Sequence, residues 1–168
     1  MERFLTWDAA ASNHLRVAEK PGLLRSLAKF FAHSGDSWFW LLGLLILGLA
    51  GSPYWRARAV VLGVGVLVTA VLVLVIKFSV RRRRPEGQWG NIYRSTDPHS
   101  FPSGHAARAM LLAVLAIGLG PAWFAILLLV WAPLVGLARV AMGVHYVSDV
   151  LAGWLLGALM GWLVYSLV

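Results

Sequence analysis

The chain has 168 residues, of which 60% are hydrophobic and 13% are charged, with a net charge of +8 and a mean hydropathy of +0.74. A soluble domain of this length cannot bury so much apolar surface, so the composition excludes an ordinary soluble protein and favours one membrane domain over residues 1–168. The lack of cysteine excludes disulfides and thiol chemistry.

Residues 1–33 mix apolar and polar side chains. Leucines and phenylalanines recur at helical spacing around Arg25 and Lys29, which predicts an amphipathic helix that lies at the membrane interface. A further spanning helix would bury too many charges, and the stretch lacks the clean apolar core of a cleavable signal peptide. His33 and Asp36 then interrupt the pattern, and this break is expected to cap the first span.

Five apolar segments are predicted to be transmembrane helices. They cover residues 37–51, 59–76, 105–120, 122–138 and 147–168. Gly120 and Pro121 turn the third segment into the fourth, which Pro133 is expected to kink or weaken. The predicted fold is therefore all-α, an integral membrane helical bundle of about five transmembrane helices over residues 37–168, plus the N-terminal amphipathic interfacial helix.

Glycine recurs at every fourth position of the fifth segment, at Gly153, Gly157 and Gly161. Small residues at this spacing let two membrane helices approach closely. We expect the stripe to pack inside the bundle. A dimer interface is the alternative, and the oligomeric state stays open.

If each predicted segment crosses the membrane once, three polar clusters lie on the same face of the membrane. They are Lys77 with Arg84-Pro85, the run Pro102-Ser103-Gly104-His105, and Arg139 with His145 and Asp149. Ionisable groups near membrane spans are usually functional. Because the cations flank apolar spans, the expected partners are the bilayer and a phosphorylated lipid rather than nucleic acid.

The cations of the first and third clusters, together with the second cluster, fit a phosphate. Lys77, Arg84 and Arg139 can neutralise a phosphate and the charge that develops in its transition state. The hydroxyl of Ser103 and the backbone amides around Gly104 can add hydrogen bonds, helped by the positive end of the following helix.

The histidines fit nucleophilic catalysis. Asp149 lies one helical turn after His145, so its carboxylate can orient the imidazole for attack on phosphorus. His105 is then the general acid that protonates the leaving oxygen and the base that later activates water. Neither a metal nor another cofactor is predicted. A metal site made of His99, His105 and His145 is the alternative, but it lacks tight ligand spacing.

Two further stretches have simpler interpretations. Arg81, Arg82 and Arg83 are interpreted as a juxtamembrane charge block that sets topology or binds anionic lipid. The loop 86–100 contains Trp89, Tyr93 and Arg94. These three could touch a headgroup, or the loop could simply pack on the bundle.

Taken together, the clusters resemble the signature of the type 2 phosphatidic acid phosphatase superfamily. The matching positions are Lys77-x6-Arg84-Pro85, Pro102-Ser103-Gly104-His105 and Ala138-Arg139-x5-His145-x3-Asp149. One position departs from the signature, because Ala138 replaces the serine of the third motif. The phosphate thereby loses one hydroxyl donor, whereas the nucleophile, the acid and the cations remain.

The resemblance implies metal-independent hydrolysis of a lipid phosphate monoester or diphosphate through a phosphohistidine. Phosphatidic acid, phosphatidylglycerol phosphate, lipid A phosphates and polyprenyl diphosphates are the substrates it suggests. A lipid-binding protein without activity and an anion transporter are the alternatives. The protein is expected in the cell membrane. The positive-inside rule favours a cytoplasmic site, but bacterial relatives generally act on the outer face, so we expect an extracytoplasmic site.

Overall fold

The computed structural model describes residues 2–87, 89 and 97–168. This part of the chain folds into seven helices. They are α1 (Glu2–His14), α2 (Leu23–Ser34), α3 (Ser37–Ala50), α4 (Pro53–Val80), α5 (Gly104–Leu119), α6 (Ala122–Ala141) and α7 (Val147–Ser166). The predicted all-α membrane bundle is thus confirmed.

Three of these helices, α4, α6 and α7, are individually long and apolar enough to cross a membrane. Helix α3 has 14 residues and spans about 21 Å, which is less than a hydrocarbon core of about 30 Å. It meets the criteria for a span only together with α2, across a bend of 51°. Helix α5 is a shorter apolar helix. The structure therefore agrees with a bundle of about five predicted spans in its architecture and adds that α2 and α3 form one bent pair.

The ends of α4 follow simple backbone rules. Pro53 occupies the first turn, where its missing N–H costs nothing. At the other end, Arg81 adopts a left-handed conformation with φ of 53°, and its N–H donates to the carbonyl of Lys77. The chain thus leaves the helix after Val80, three residues beyond Lys77. In α6, Pro133 lies inside a helix that runs unbroken from Ala122 to Ala141.

Helix α5 lies at the centre of the bundle and packs most extensively on α7. The glycine stripe of α7 makes this approach possible. A Cβ atom on Gly153 would stand 2.6 Å from the carbonyl oxygen of Ser103, and one on Gly157 would overlap the backbone of Ala107. The stripe thus packs within the bundle, as expected, and holds the Ser103 end of α5 against the start of α7.

Replacing Gly157 by Val is expected to destabilise the protein by about 3 kcal/mol or more, because overpacking here displaces backbone and not a flexible side chain. Gly63→Ala on α4 is the control, since its added Cβ would meet no atom within 4 Å. Thermal unfolding in detergent measures both. Equal midpoints for the two variants would contradict this account of the stripe.

Candidate active site

The three polar clusters meet at a cavity of about 220 Å³ between α4 and α5. Each cluster contributes to its wall. The polar lining residues are Ser37, Lys77, Asp97, His105, Arg108 and His145. The convergence that span counting predicted therefore includes both histidines in one small space.

His145 lies in the short connection between α6 and α7 and is almost fully buried. Its Nε2 atom is 3.2 Å from Nη1 of Arg84, and its Nδ1 atom is 3.5 Å from Oδ2 of Asp149. A guanidinium can only donate, so Nε2 must carry the lone pair and Nδ1 the proton. The Nδ1–Asp149 distance exceeds that of an ordinary hydrogen bond, so this contact is an ion-pair contact that Asp149 can tighten when the ring becomes charged.

The electrostatic environment keeps this imidazole neutral. Burial lowers the pKa of His145 well below the ordinary value of 6.5, and the positive charges of Arg84, Arg139 and Lys77 lower it further. A neutral imidazole keeps an unprotonated lone pair on Nε2, which here accepts from Arg84. His145 is thus chemically able to attack an electrophile at neutral pH.

Asp149 is fully buried at the start of α7 and has two firm partners besides the imidazole. Its Oδ2 accepts a hydrogen bond of 2.9 Å from the backbone N–H of Tyr146, and its Oδ1 accepts one of 2.8 Å from Nη1 of Arg82. These contacts fix the carboxylate that faces Nδ1 of His145.

The Arg82 contact corrects the interpretation of residues 81–83 as a charge block. Arg82 bridges Asp149 to Asp8 of α1, with 2.6 Å between Nη2 and Oδ2 of Asp8. Asp8 is also buried and accepts from the backbone and the hydroxyl of Ser148. Arg81 and Arg83 are exposed. Arg82 is therefore part of the support of Asp149, and α1 is anchored to the same network.

Lys77 and Arg84 form a pair of buried cations beside the cavity. Both donate to the carboxylate of Asp97, from Nζ of Lys77 and, at 2.8 Å, from Nη2 of Arg84. Nε of Arg84 adds a bond of 2.6 Å to the backbone carbonyl of Asp97. Sequence analysis did not anticipate Asp97, whose carboxylate occupies a position that suits an anion.

The other predicted phosphate ligands surround this pair. Ser103 caps α5, and its N–H donates to the backbone carbonyl of Asp149 at 2.9 Å, which joins the second and third motifs. Gly104 is the first residue of α5 and lines the cavity. Arg139 is fully buried, with Nη1 3.5 Å from the carbonyl of Ala32. Among the described residues, Ser103 and Arg139 do not line the cavity itself.

His105 has a carboxylate partner of its own. Its Nε2 is 2.7 Å from Oδ1 of Asp36, and Oδ2 of Asp36 is 3.2 Å from Nδ1 of His33. Asp36 precedes α3 as expected, but its side chain makes no capping bond. The break from His33 to Asp36 thus supplies the N-cap residue of the first span, as expected, while the side chain of Asp36 binds the two histidines instead. The carboxylate thus fixes the orientation of the His105 ring, which lines the cavity.

Two remaining predictions concern the rim of the site. Ala138 packs in an apolar cluster with Ala28, Ala32 and Val144. Trp89 lies against the same cluster, with Nζ of Lys29 5.7 Å from the centre of its ring. Trp89 itself therefore packs on the bundle. Tyr93 and Arg94 lie outside the described residues.

Comparison with known proteins places this geometry in context. The family model of the PAP2 superfamily matches residues 58–168. The chain is 35% identical over 151 residues to decaprenylphosphoryl-5-phosphoribose phosphatase of Mycobacterium tuberculosis, which covers 89% of this chain and 83% of that protein. It is 32% identical over 150 residues to undecaprenyl-diphosphatase of Sulfolobus acidocaldarius, with 87% and 69% covered.

A solved structure agrees with these sequence matches. The transmembrane PAP2-type phosphatidylglycerolphosphate phosphatase from Bacillus subtilis superposes with a TM-score of 0.76 at 27% identity. The superposition covers 99% of this chain and 87% of that chain. The similarity therefore extends over the N-terminal helices as well as the three motifs.

Proposed function

Because the chain belongs to the PAP2 superfamily and is an integral membrane lipid phosphatase, we propose that it hydrolyses a lipid phosphate monoester or diphosphate through a phosphohistidine on His145. The observation that carries the proposal is the cavity shared by His105 and His145, in which a neutral His145 directs Nε2 toward the cations. The residue roles below follow from that arrangement.

In the first step, Nε2 of His145 attacks phosphorus and the bond from phosphorus to the leaving oxygen breaks. The electron pair stays on that oxygen, which takes a proton from His105. Asp149 stabilises the positive charge that appears on the His145 ring, and Lys77 with Arg84 stabilises the negative charge on the transferred phosphoryl group. In the second step, His105 removes a proton from water, which displaces His145 and releases inorganic phosphate.

To reach Lys77 and Arg84, a phosphate must displace the carboxylate of Asp97 or bind the two cations together with it. The side chain of Asp97 is 39% exposed, whereas those of its two cationic partners are 4% and 1% exposed. An exposed loop carboxylate is easier to move than a buried cation. We therefore assign the position of Asp97 in this structure to the state without substrate, in which it neutralises the phosphate site.

We place the site on the extracytoplasmic side of the cell membrane. The opposing argument counts basic residues on the catalytic face. Several of these have structural partners, however: Arg82 binds two buried carboxylates, and Arg16 binds Glu19 and the backbone of Glu86. Cations that make contacts within the fold are poor indicators of the side of the membrane on which they lie. The argument for a cytoplasmic site is therefore weakened. Accessibility of a cysteine introduced at Arg83 to a membrane-impermeant thiol reagent in intact cells would test the side.

The proposal is tested by phosphate release from the purified protein in detergent with EDTA present. Phosphatidic acid, phosphatidylglycerol phosphate and undecaprenyl diphosphate are the substrates. Release that survives EDTA, together with an acid-labile phosphoryl group mapped to His145 after rapid quenching, is the expected result. Release that stops with EDTA and returns with added magnesium would overturn the metal-independent mechanism. Binding of these lipids without release from any of them would favour the lipid-binding alternative.

The acid limb of the pH profile of kcat/KM should reflect the protonation of His145. Its lowered pKa means that the ring stays neutral as pH falls through 6.5 and becomes protonated, and inactive as a nucleophile, only at lower pH. The acid limb of kcat/KM is therefore expected below pH 6.5. A limb that belongs to the substrate phosphate moves when the substrate changes, whereas that of His145 stays in place. An enzyme limb at or above pH 6.5 would contradict the neutral, desolvated imidazole.

Asp36 is predicted to position His105 through the hydrogen bond of 2.7 Å to its Nε2. We expect Asp36→Asn to lower kcat about 10–100-fold on lipid substrates, as part of the 10²–10⁴-fold that general acid–base catalysis contributes. A substrate with a good leaving group, such as p-nitrophenyl phosphate, needs less protonation and should lose much less. His33→Ala, which removes only the second partner of Asp36, is the milder control. Equal losses on both substrates would indicate a structural role for Asp36 instead.

A further inference from the structure

Arg108 is a cavity residue that neither the motifs nor the mechanism above uses. It lies three residues after His105 on α5, which places it about 4.5 Å further along the helix axis from the catalytic face. It lines the same cavity as Lys77, His105 and His145. Its Nη1 lies 3.2 Å from the position a Cβ atom on Gly104 would take, so the guanidinium folds back toward the start of the helix.

The guanidinium has no counter-ion within the part of the chain that the structure describes. Its Nε atom is buried and makes no hydrogen bond. The two nearby carboxylates have other partners, because Asp97 binds Lys77 and Arg84 while Asp36 binds His105 and His33. An arginine remains charged under all physiological conditions, and an unpaired charge at membrane depth is costly. The unpaired guanidinium of Arg108 is explained if a bound substrate supplies the anion that balances its charge.

The position of Arg108 indicates which part of a ligand its guanidinium would bind. His105 is the proposed acid for the leaving oxygen, and Arg108 follows it on the side that leads into the bundle. A group bound there is part of the leaving group and lies between the transferred phosphate and the lipid chain. The side chain of Arg108 starts about one helical turn beyond His105 and its guanidinium folds back toward Gly104, so the guanidinium lies between that turn and the His105 end of the cavity. A second phosphate joined to the first through one oxygen would lie there.

We propose that Arg108 binds the lipid-linked phosphate of a lipid diphosphate, so that diphosphates are preferred over monophosphates; this rests on the proposed phosphatase function. Nε2 of His145 attacks the terminal phosphorus, and its bond to the bridging oxygen breaks. The electron pair stays on the bridging oxygen, and the leaving group is the lipid monophosphate, whose negative charge Arg108 balances. Water then hydrolyses the phosphohistidine, so one diphosphate and one water give one lipid monophosphate and one inorganic phosphate.

The test compares farnesyl diphosphate with farnesyl phosphate, which share one lipid chain. Arg108→Gln is expected to lower kcat/KM for the diphosphate about 10–100-fold, the loss of one hydrogen-bonded charge contact, and that for the monophosphate by less than about threefold. Arg108→Lys should retain part of the preference. Arg56→Gln, an exposed arginine at the far end of α4, should change neither substrate.

A stability measurement separates ligand binding from a structural role. Because Arg108→Gln removes an unpaired charge, its unfolding temperature in detergent should equal or exceed that of the wild type. A lower temperature, equal losses on both substrates, or no loss on either would overturn the proposal. If the wild-type protein releases phosphate from neither substrate nor from the lipid panel, the proposed phosphatase function itself fails, which is a distinct result.

Discussion

Replacing His145 by Ala is expected to lower phosphate release from every substrate by about 10⁴-fold or more, because no other group can form the covalent intermediate. The side chain is almost fully buried, and its contacts with Arg84 and Asp149 lie within the site. The variant should therefore insert and fold. Phosphate release and quantitation of the phosphoenzyme measure the effect together.

His99→Ala is the matched control for this variant. The hydrogen bond of His99 to Lys77 uses its backbone carbonyl, and its ring packs edge-on against Phe78. Its replacement is expected to preserve turnover within about threefold. If instead His99, His105 and His145 were all needed and activity followed added metal, the metal-site alternative would replace the phosphohistidine mechanism. Turnover that persists in His145→Ala would exclude this nucleophile.

Replacing Arg82 by Ala is expected to affect both stability and activity. Asp8 and Asp149 are 1% and 0% exposed and would lose a shared cation, which for a buried ion pair costs about 3–5 kcal/mol. The freed Asp149 would no longer hold the Nδ1 side of His145, so kcat is expected to fall about 10–100-fold. Thermal unfolding in detergent and steady-state kinetics measure the two effects.

The neighbouring arginine provides a sharp control. Arg81 is exposed, and the hydrogen bond from its Nε to the carbonyl of Phe78 lies at the surface. Arg81→Ala is expected to change stability by less than about 0.5 kcal/mol. Adding Asp8→Asn to Arg82→Ala should restore part of the stability, because one buried charge is then removed. If Arg82→Ala and Arg81→Ala had equal effects on stability and activity, the interpretation of residues 81–83 as a charge block would be supported instead.

The two proposed catalytic histidines each have a carboxylate, but only one pair could be predicted from the sequence. Asp149 follows His145 by one helical turn, so local spacing alone brings the two together. Asp36 and His105 are 69 residues apart and meet because the turn between α2 and α3 packs against the start of α5. Gly35 allows this approach, since a Cβ there would stand 3.3 Å from the ring of His105.

The sequence by itself determined the features that arise from local pattern. Apolar segments of sufficient length predict membrane helices, and their alternating direction places the motif residues on one face. The three motifs identify the family, and the spacing of Gly153, Gly157 and Gly161 predicts a close helix contact. Each segment and each motif is recognised from residues near one another in the chain, where backbone geometry limits the possible arrangements.

Only the tertiary structure decided which distant side chains share a partner. Arg82 lies in a run of four arginines, and nothing in that run distinguishes it until α1 brings Asp8 to the start of α7. Arg108 looks like any polar residue on an apolar helix until the cavity, and the lack of a partner among the described residues, become visible. Contacts between remote segments depend on how whole helices pack, and the composition and periodicity of each helix do not specify that packing.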